Sequence, residues 1–235
     1  MVPTEMKPDT RVLEFNIEVS VDDVLRLLHC PDDKVIREEA QTLVDCLLTE
    51  AESVLQPRGI YTVRPVDRMT DTELTLDGCP TIHGPIAAFL KPATRVAVFV
   101  VTVGDAITRL ADERLAAGRK LEGRTLSAIG SVAVDAAADA MAETIFWNEA
   151  SAEEAVTAPF SPGYCGLPLD EQETLLSIVD ASVIGVTLLP SMVMEPAKSI
   201  SGLFGIGDGA AVLEHGVPCQ WCNVRECKSR GRGRT

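Results

Sequence analysis

The chain has 235 residues, of which 46% are hydrophobic, 24% charged and only 4% aromatic. That is enough chain for one large domain or two small ones with a sizeable core, and the composition excludes general disorder. A formal net charge of −14 excludes nucleic acid as the main partner, because phosphate binding needs a basic surface; cationic ligands, a basic partner protein and plain solubility stay open.

In chain order, residues 11–19 (RVLEFNIEV) set Leu13, Phe15, Ile17 and Val19 against Val12, Glu14, Asn16 and Glu18, the alternation of a half-buried strand. Ser20 or Asp22 can cap a helix with Val24, Leu25 and Leu28 on its apolar side, and a longer helix is predicted over about 35–55. PRGIYTVRPV and TELTLDG read as short strands bounded by turn residues. A β-branched run then ends at Thr102-Val103-Gly104, and a helix begins at Asp105. Such a junction either offers amides to an anion or simply connects two elements.

The helix predicted over about 124–147 is the longest. Leu126, Ile129, Ala133, Ala137, Met141 and Ile145 make its apolar stripe, and Gly130, Ala133, Ala137 and Ala140 allow close packing against a neighbour. Asp135, Asp139 and Glu143 recur every fourth residue away from that stripe. They form either a solvated face or a carboxylate wall beside a cationic ligand. The stretch PFSPGYCGLP, 159–168, is a turn, followed by a helix over 169–179, a buried strand over 182–189 (SVIGVTLL) and another strand at SISGLFGI. The tail KSRGRGRT is basic and glycine-rich.

Near the end, Cys219, Cys222 and Cys227 are spaced C-x2-C-x4-C, with His215 four residues before the first. Two thiolates from a tight turn and a third one turn on approach tetrahedral geometry, and His215 or Cys165 can complete a zinc site. Three thiolates equally suit an iron–sulfur cluster. The seven cysteines are odd in number, and residues 1–10 lack the apolar core of a secretory signal. Reduced thiols in the cytoplasm, with a metal or redox cluster, are expected rather than a disulfide framework. No run of about 18 apolar residues occurs, so no membrane span is expected.

SPGYCG at 161–166 and SMVMEPAKSISG at 191–202 together resemble the S-adenosylmethionine-binding activation domain of cobalamin-dependent methionine synthase, in its free-standing version with a cysteine-rich C-terminus. The resemblance rests on Pro162, Gly163 and Tyr164, then Ser191, Met194, Pro196, Ser199, Ser201 and Gly202. It implies an α+β fold, a curved antiparallel sheet covered by helices, over 1–208, with a cysteine-rich segment and basic tail at 209–235. It implies S-adenosylmethionine as methyl donor to cobalamin carried by a partner, either a corrinoid protein or a methionine synthase lacking its own activation domain, with an electron donor. Ser161, Gly163, Tyr164, Asp139 and Glu143 are its candidate ligand contacts; Glu143 would receive the ligand's ammonium. Where the family has an arginine for the ligand's carboxylate, this chain has Pro159, and Leu189-Pro190-Ser191 stands where the family has Thr-Glu-Ser. The alternative on the same fold is a non-catalytic partner protein that binds a metal or an iron–sulfur cluster.

Overall fold

The computed structural model describes residues 10–85 and 87–215. The elements run β1 (Thr10–Glu14), α1 (Val21–Leu27), α2 (Lys34–Glu52), β2 (Arg58–Met69), β3 (Glu73–Leu76), β4 (Ile82–His83), α3 (Ala87–Leu90), β5 (Ala93–Thr102), α4 (Ala106–Ala116) and α5 (Lys120–Glu149). They continue with β6 (Glu154–Val156), α6 (Glu171–Ile178), a 3-10 turn (Ala181–Ile184), β7 (Thr187–Leu188), β8 (Met194–Glu195), β9 (Ser199–Asp208) and α7 (Gly209–His215).

One antiparallel sheet dominates, in the order β4-β3-β2-β5-β9-β6, with β1 also paired to β2. Strand alternation divides its residues between two cores. Tyr61, Phe99, Phe204 and Ile206 point into a core shared with α1, α2, α4 and α5. Ile60, Val96, Val98, Val100 and Leu203 point the other way, against α3, α6, the β3–β4 hairpin and the segment around Phe160. The α+β architecture is therefore the expected one, a sheet with helices packed over it.

Side-chain caps begin the first two helices. Ser20 caps α1 by accepting the Asp23 amide at 3.2 Å, and Asp33 caps α2 through Val35 and Ile36. The stripe Leu126, Ile129, Ala133, Ala137, Met141 and Ile145 is wholly buried on α5. Two predicted strands change. The first ends at Glu14, because β2 begins opposite it at Arg58. Phe15, Ile17 and Val19 still pack into the first core, so the alternation persists beyond the ladder. The predicted strand over 182–189 is instead a 3-10 turn capped by Asp180 and closed by left-handed Gly185 (φ 76°), followed by a two-residue strand. Ala181 and Ile184, three apart, bury on one side of that turn, so the apolar run has turn spacing rather than strand spacing.

The end of α5 is tied to the sheet. Tyr61 donates to Glu149 at 2.8 Å, and Arg95 bonds both the Glu149 carbonyl (2.9 Å) and the Glu154 carboxylate (2.7 Å). The Ser151 amide and then Arg95 hold the Glu154 carboxyl below its ordinary range. A depressed carboxyl stabilises the fold above the unfolded value and loses that contribution as pH falls through the folded one. Glu154→Gln is therefore expected to remove at most roughly 1 kcal/mol at neutral pH and to flatten the acid limb of a melting-temperature profile. A wild-type acid limb retained in the variant would refute this.

Candidate functional site

The segment after β6 runs along the outer edge of β9. Phe160 and Leu203 exchange two backbone hydrogen bonds, at 2.9 and 2.8 Å, and the chain then turns. Ser161 accepts the Tyr164 amide at 3.1 Å, Tyr164 accepts from Leu167 at 2.9 Å, and Gly163 donates to the Leu167 carbonyl at 2.8 Å. Gly163, Cys165 and Gly166 all have left-handed backbones, with φ of 86°, 53° and 83°. Glycine adopts that region without penalty, whereas a cysteine there is held by its surroundings. The result lifts Tyr164 outward, 58% exposed, while Leu167 and Cys165 lean into the second core.

The acidic row lies on α5, in the layer on the other side of the sheet. Asp135 and Glu143 are exposed and Asp139 is half-buried. The turn and the row thus belong to opposite layers, with the edge of β9 between them. A shallow groove of about 440 Å³ lies elsewhere, between α6 and the β7–β8 hairpin, lined by Glu173, Asp180, Leu189 and Met192 among others.

The run 191–202 proves to be partly architecture. Ser199 Oγ lies 2.7 Å from the Pro196 carbonyl and 2.9 Å from Thr102 Oγ1. Gly202 has no room for a side chain: a Cβ would stand 2.5 Å from the Phe160 carbonyl oxygen and 2.9 Å from the Phe99 ring. Met194 packs against the second core, and Ser201 is buried. The Thr102–Gly104 junction is connective, because its amides are used internally. Gly104 donates to Thr102 Oγ1 at 3.1 Å and Val103 to the Lys198 carbonyl at 3.2 Å.

Lys198 is the residue of this run that turns to α5, and it was not among the sequence candidates. Its ammonium lies 2.7 Å from Ser131 Oγ and 3.2 Å from Ser127 Oγ. Burial pushes its pKa down, and Asp135 pushes it up. The available signal was a pair of serines four apart in an alanine-rich helix, which presents two hydroxyls on one face.

Among the described residues, no group of three His, Cys, Asp or Glu side chains is placed to hold a metal. His215 ends α7 and Cys165 sits in the turn; Cys219, Cys222 and Cys227 lie outside the described residues. No described helix is long and apolar enough to cross a membrane.

The curved antiparallel sheet, the long helix on one face and the strained turn at its edge define an activation-domain-like fold. A solved structure carries it: the MetH reactivation domain bound to AdoHcy matches with a TM-score of 0.66 over 83% of this chain and 78% of that one, at 20% identity. No protein-family model and no curated protein matches the chain.

Proposed function

We propose that this protein binds S-adenosylmethionine and supports reactivation of a cobalamin-dependent methyltransferase, acting with a separate corrinoid protein or a methionine synthase that lacks its own activation domain. The observation that carries this reading is the fold shared with a domain that holds AdoHcy, the product of methyl transfer from S-adenosylmethionine. The exposed ring of Tyr164, on a turn that passes through left-handed Gly163, supports it as a lip over the ligand. Asp139 and Glu143 supply negative charge suited to a sulfonium.

In this role a one-electron donor reduces the partner's cobalt from the +2 to the +1 state. The cobalt electron pair then takes the methyl carbon, the S–CH3 bond breaks, and sulfur keeps that bonding pair as a neutral thioether. The protein's contribution is orientation of the sulfonium against the corrin. Methyl transfer removes the reduced cobalt and draws the unfavourable electron transfer forward. A metal or iron–sulfur cluster at Cys219, Cys222 and Cys227, with Cys165 or His215 as a further ligand, is the proposed place for an electron relay.

The test is transfer of labelled methyl from S-adenosylmethionine to a cobalamin-bearing protein under a low-potential reductant. Methylation dependent on the chain is expected, and Tyr164→Ala should lower ligand affinity roughly 10-fold through lost base stacking. Methylation indifferent to the chain would refute the role. Pro159, in place of the family's cation, favours a second reading in which the same fold is a non-catalytic metal-binding partner. That reading predicts activity lost with Cys222→Ser and kept with Tyr164→Ala.

A further inference from the structure

Among the described residues, the two most exposed large apolar side chains are Trp147 and Leu213, each 79% exposed. Trp147 lies in the last turn of α5, edge-on to the ring of Phe146 at 5.2 Å between centroids, and Phe146 is exposed as well. Leu213 lies on α7. The fold brings these two helices to one corner. Arg95 bonds the Glu149 carbonyl at the end of α5 and the Glu154 carboxylate of β6, at 2.9 and 2.7 Å. Gly209, the first residue of α7, donates to the Glu153 carbonyl at 2.8 Å. A single exposed apolar residue is ordinary, but an aromatic pair and a leucine on elements that meet mark an interaction surface.

The chain itself continues from this corner. α7 ends at His215, and residues 216–235 follow it, outside the described residues. That segment opens with GVPCQWCNV, in which Val217, Trp221 and Val224 are apolar. It also holds five of the chain's 21 Lys and Arg but only one of its 35 Asp and Glu. The corner has the opposite sign: Glu153 and Glu214 are exposed, and no cation among the described residues pairs with either. Reach is ample. Trp221 follows His215 by six residues, about 20 Å when extended, whereas α7 itself is only about 10 Å long.

We propose that residues 216–224 of the same chain dock on this corner, Trp221 against Phe146, Trp147 and Leu213, with the cations from Arg225 onward facing Glu153 and Glu214. An aromatic anchor among exposed apolar side chains supplies the attraction, and the opposite charges around it fix its orientation. Cys219, Cys222 and Cys227 are then carried on the α5 side of the sheet, in the layer opposite the Tyr164 turn. The assignment goes beyond the ligand-binding reading and stands without it.

The chain has two tryptophans, so Trp147→Phe leaves Trp221 as the single fluorescent indole while keeping a ring at the corner. In that full-length variant, Trp221 is expected to emit to the blue of an indole in water and to resist acrylamide quenching. Trp147→Ser combined with Leu213→Ser, both at exposed positions that leave the cores intact, should shift the emission to the red and remove the protection. Thiol labelling read by mass spectrometry, at equal metal content, should speed up at Cys219, Cys222 and Cys227 in the double variant and stay level at Cys46 and Cys165. Equal emission and equal labelling in the two proteins would overturn the assignment, whether Trp221 is exposed in both or shielded in both by a metal-bound turn alone. Light scattering separates the remaining occupant. A dimer of the Trp147→Phe protein that becomes a monomer in the double variant would place a second chain on the corner and also overturn it.

Discussion

Phe204→Ala is expected to lower the free energy of unfolding by about 3–5 kcal/mol. Phe204 on β9 and Phe99 on β5 are diagonal neighbours across the ladder, fully buried, with ring centroids 4.6 Å apart. They sit where the sheet meets α5, so truncation leaves a cavity that neither a flexible loop nor an exposed side chain can fill. For a chain of this length the melting temperature should fall by roughly 10 °C. Urea unfolding should show a lower midpoint with an unchanged slope, since the area exposed on unfolding hardly changes. A loss within 1 kcal/mol would mean that the first core is not packed as described.

Gly202→Ala carries the second large effect, and it links stability to the site. The added methyl would meet the Phe160 carbonyl oxygen at 2.5 Å and the Phe99 ring at 2.9 Å. The first is backbone and the second is locked in its stack, so neither yields cheaply. Overpacking of this kind costs about 1–3 kcal/mol. The strain falls on the Phe160–Leu203 pair, from which the Tyr164 turn departs. Amide hydrogen exchange should accelerate at Phe160 and Leu203, and AdoHcy affinity should fall with it. Unchanged protection at those two amides would contradict the placement of the turn on β9.

The elements most legible from residues alone were those whose period is long and uninterrupted. The stripe on α5 repeats over five turns, and the β-branched run that became β5 allows little else. Short apolar runs were ambiguous: 182–189 has the composition of a strand, but Gly185 and the three-residue spacing of its buried side chains make it a turn. At the site, Gly163 announced a turn through its residue type. The left-handed backbone of Cys165 did not, because nothing in a cysteine marks that conformation. Asp135, Asp139 and Glu143 were visible as a row, but a row has no preferred member until something is set opposite it. The Lys198 ammonium, which sits on Ser127 and Ser131 with the Asp135 carboxylate supporting its charge, comes from 67 residues after Ser131, a separation that no local pattern spans.

The account depends most on an adenosyl ligand being held by this chain. Isothermal titration of the full-length protein with AdoHcy measures that directly, with thermal denaturation in parallel. One site with a dissociation constant of about 1–100 µM is predicted, together with a melting temperature that rises with ligand concentration. No heat of binding and no thermal shift at millimolar AdoHcy would contradict it.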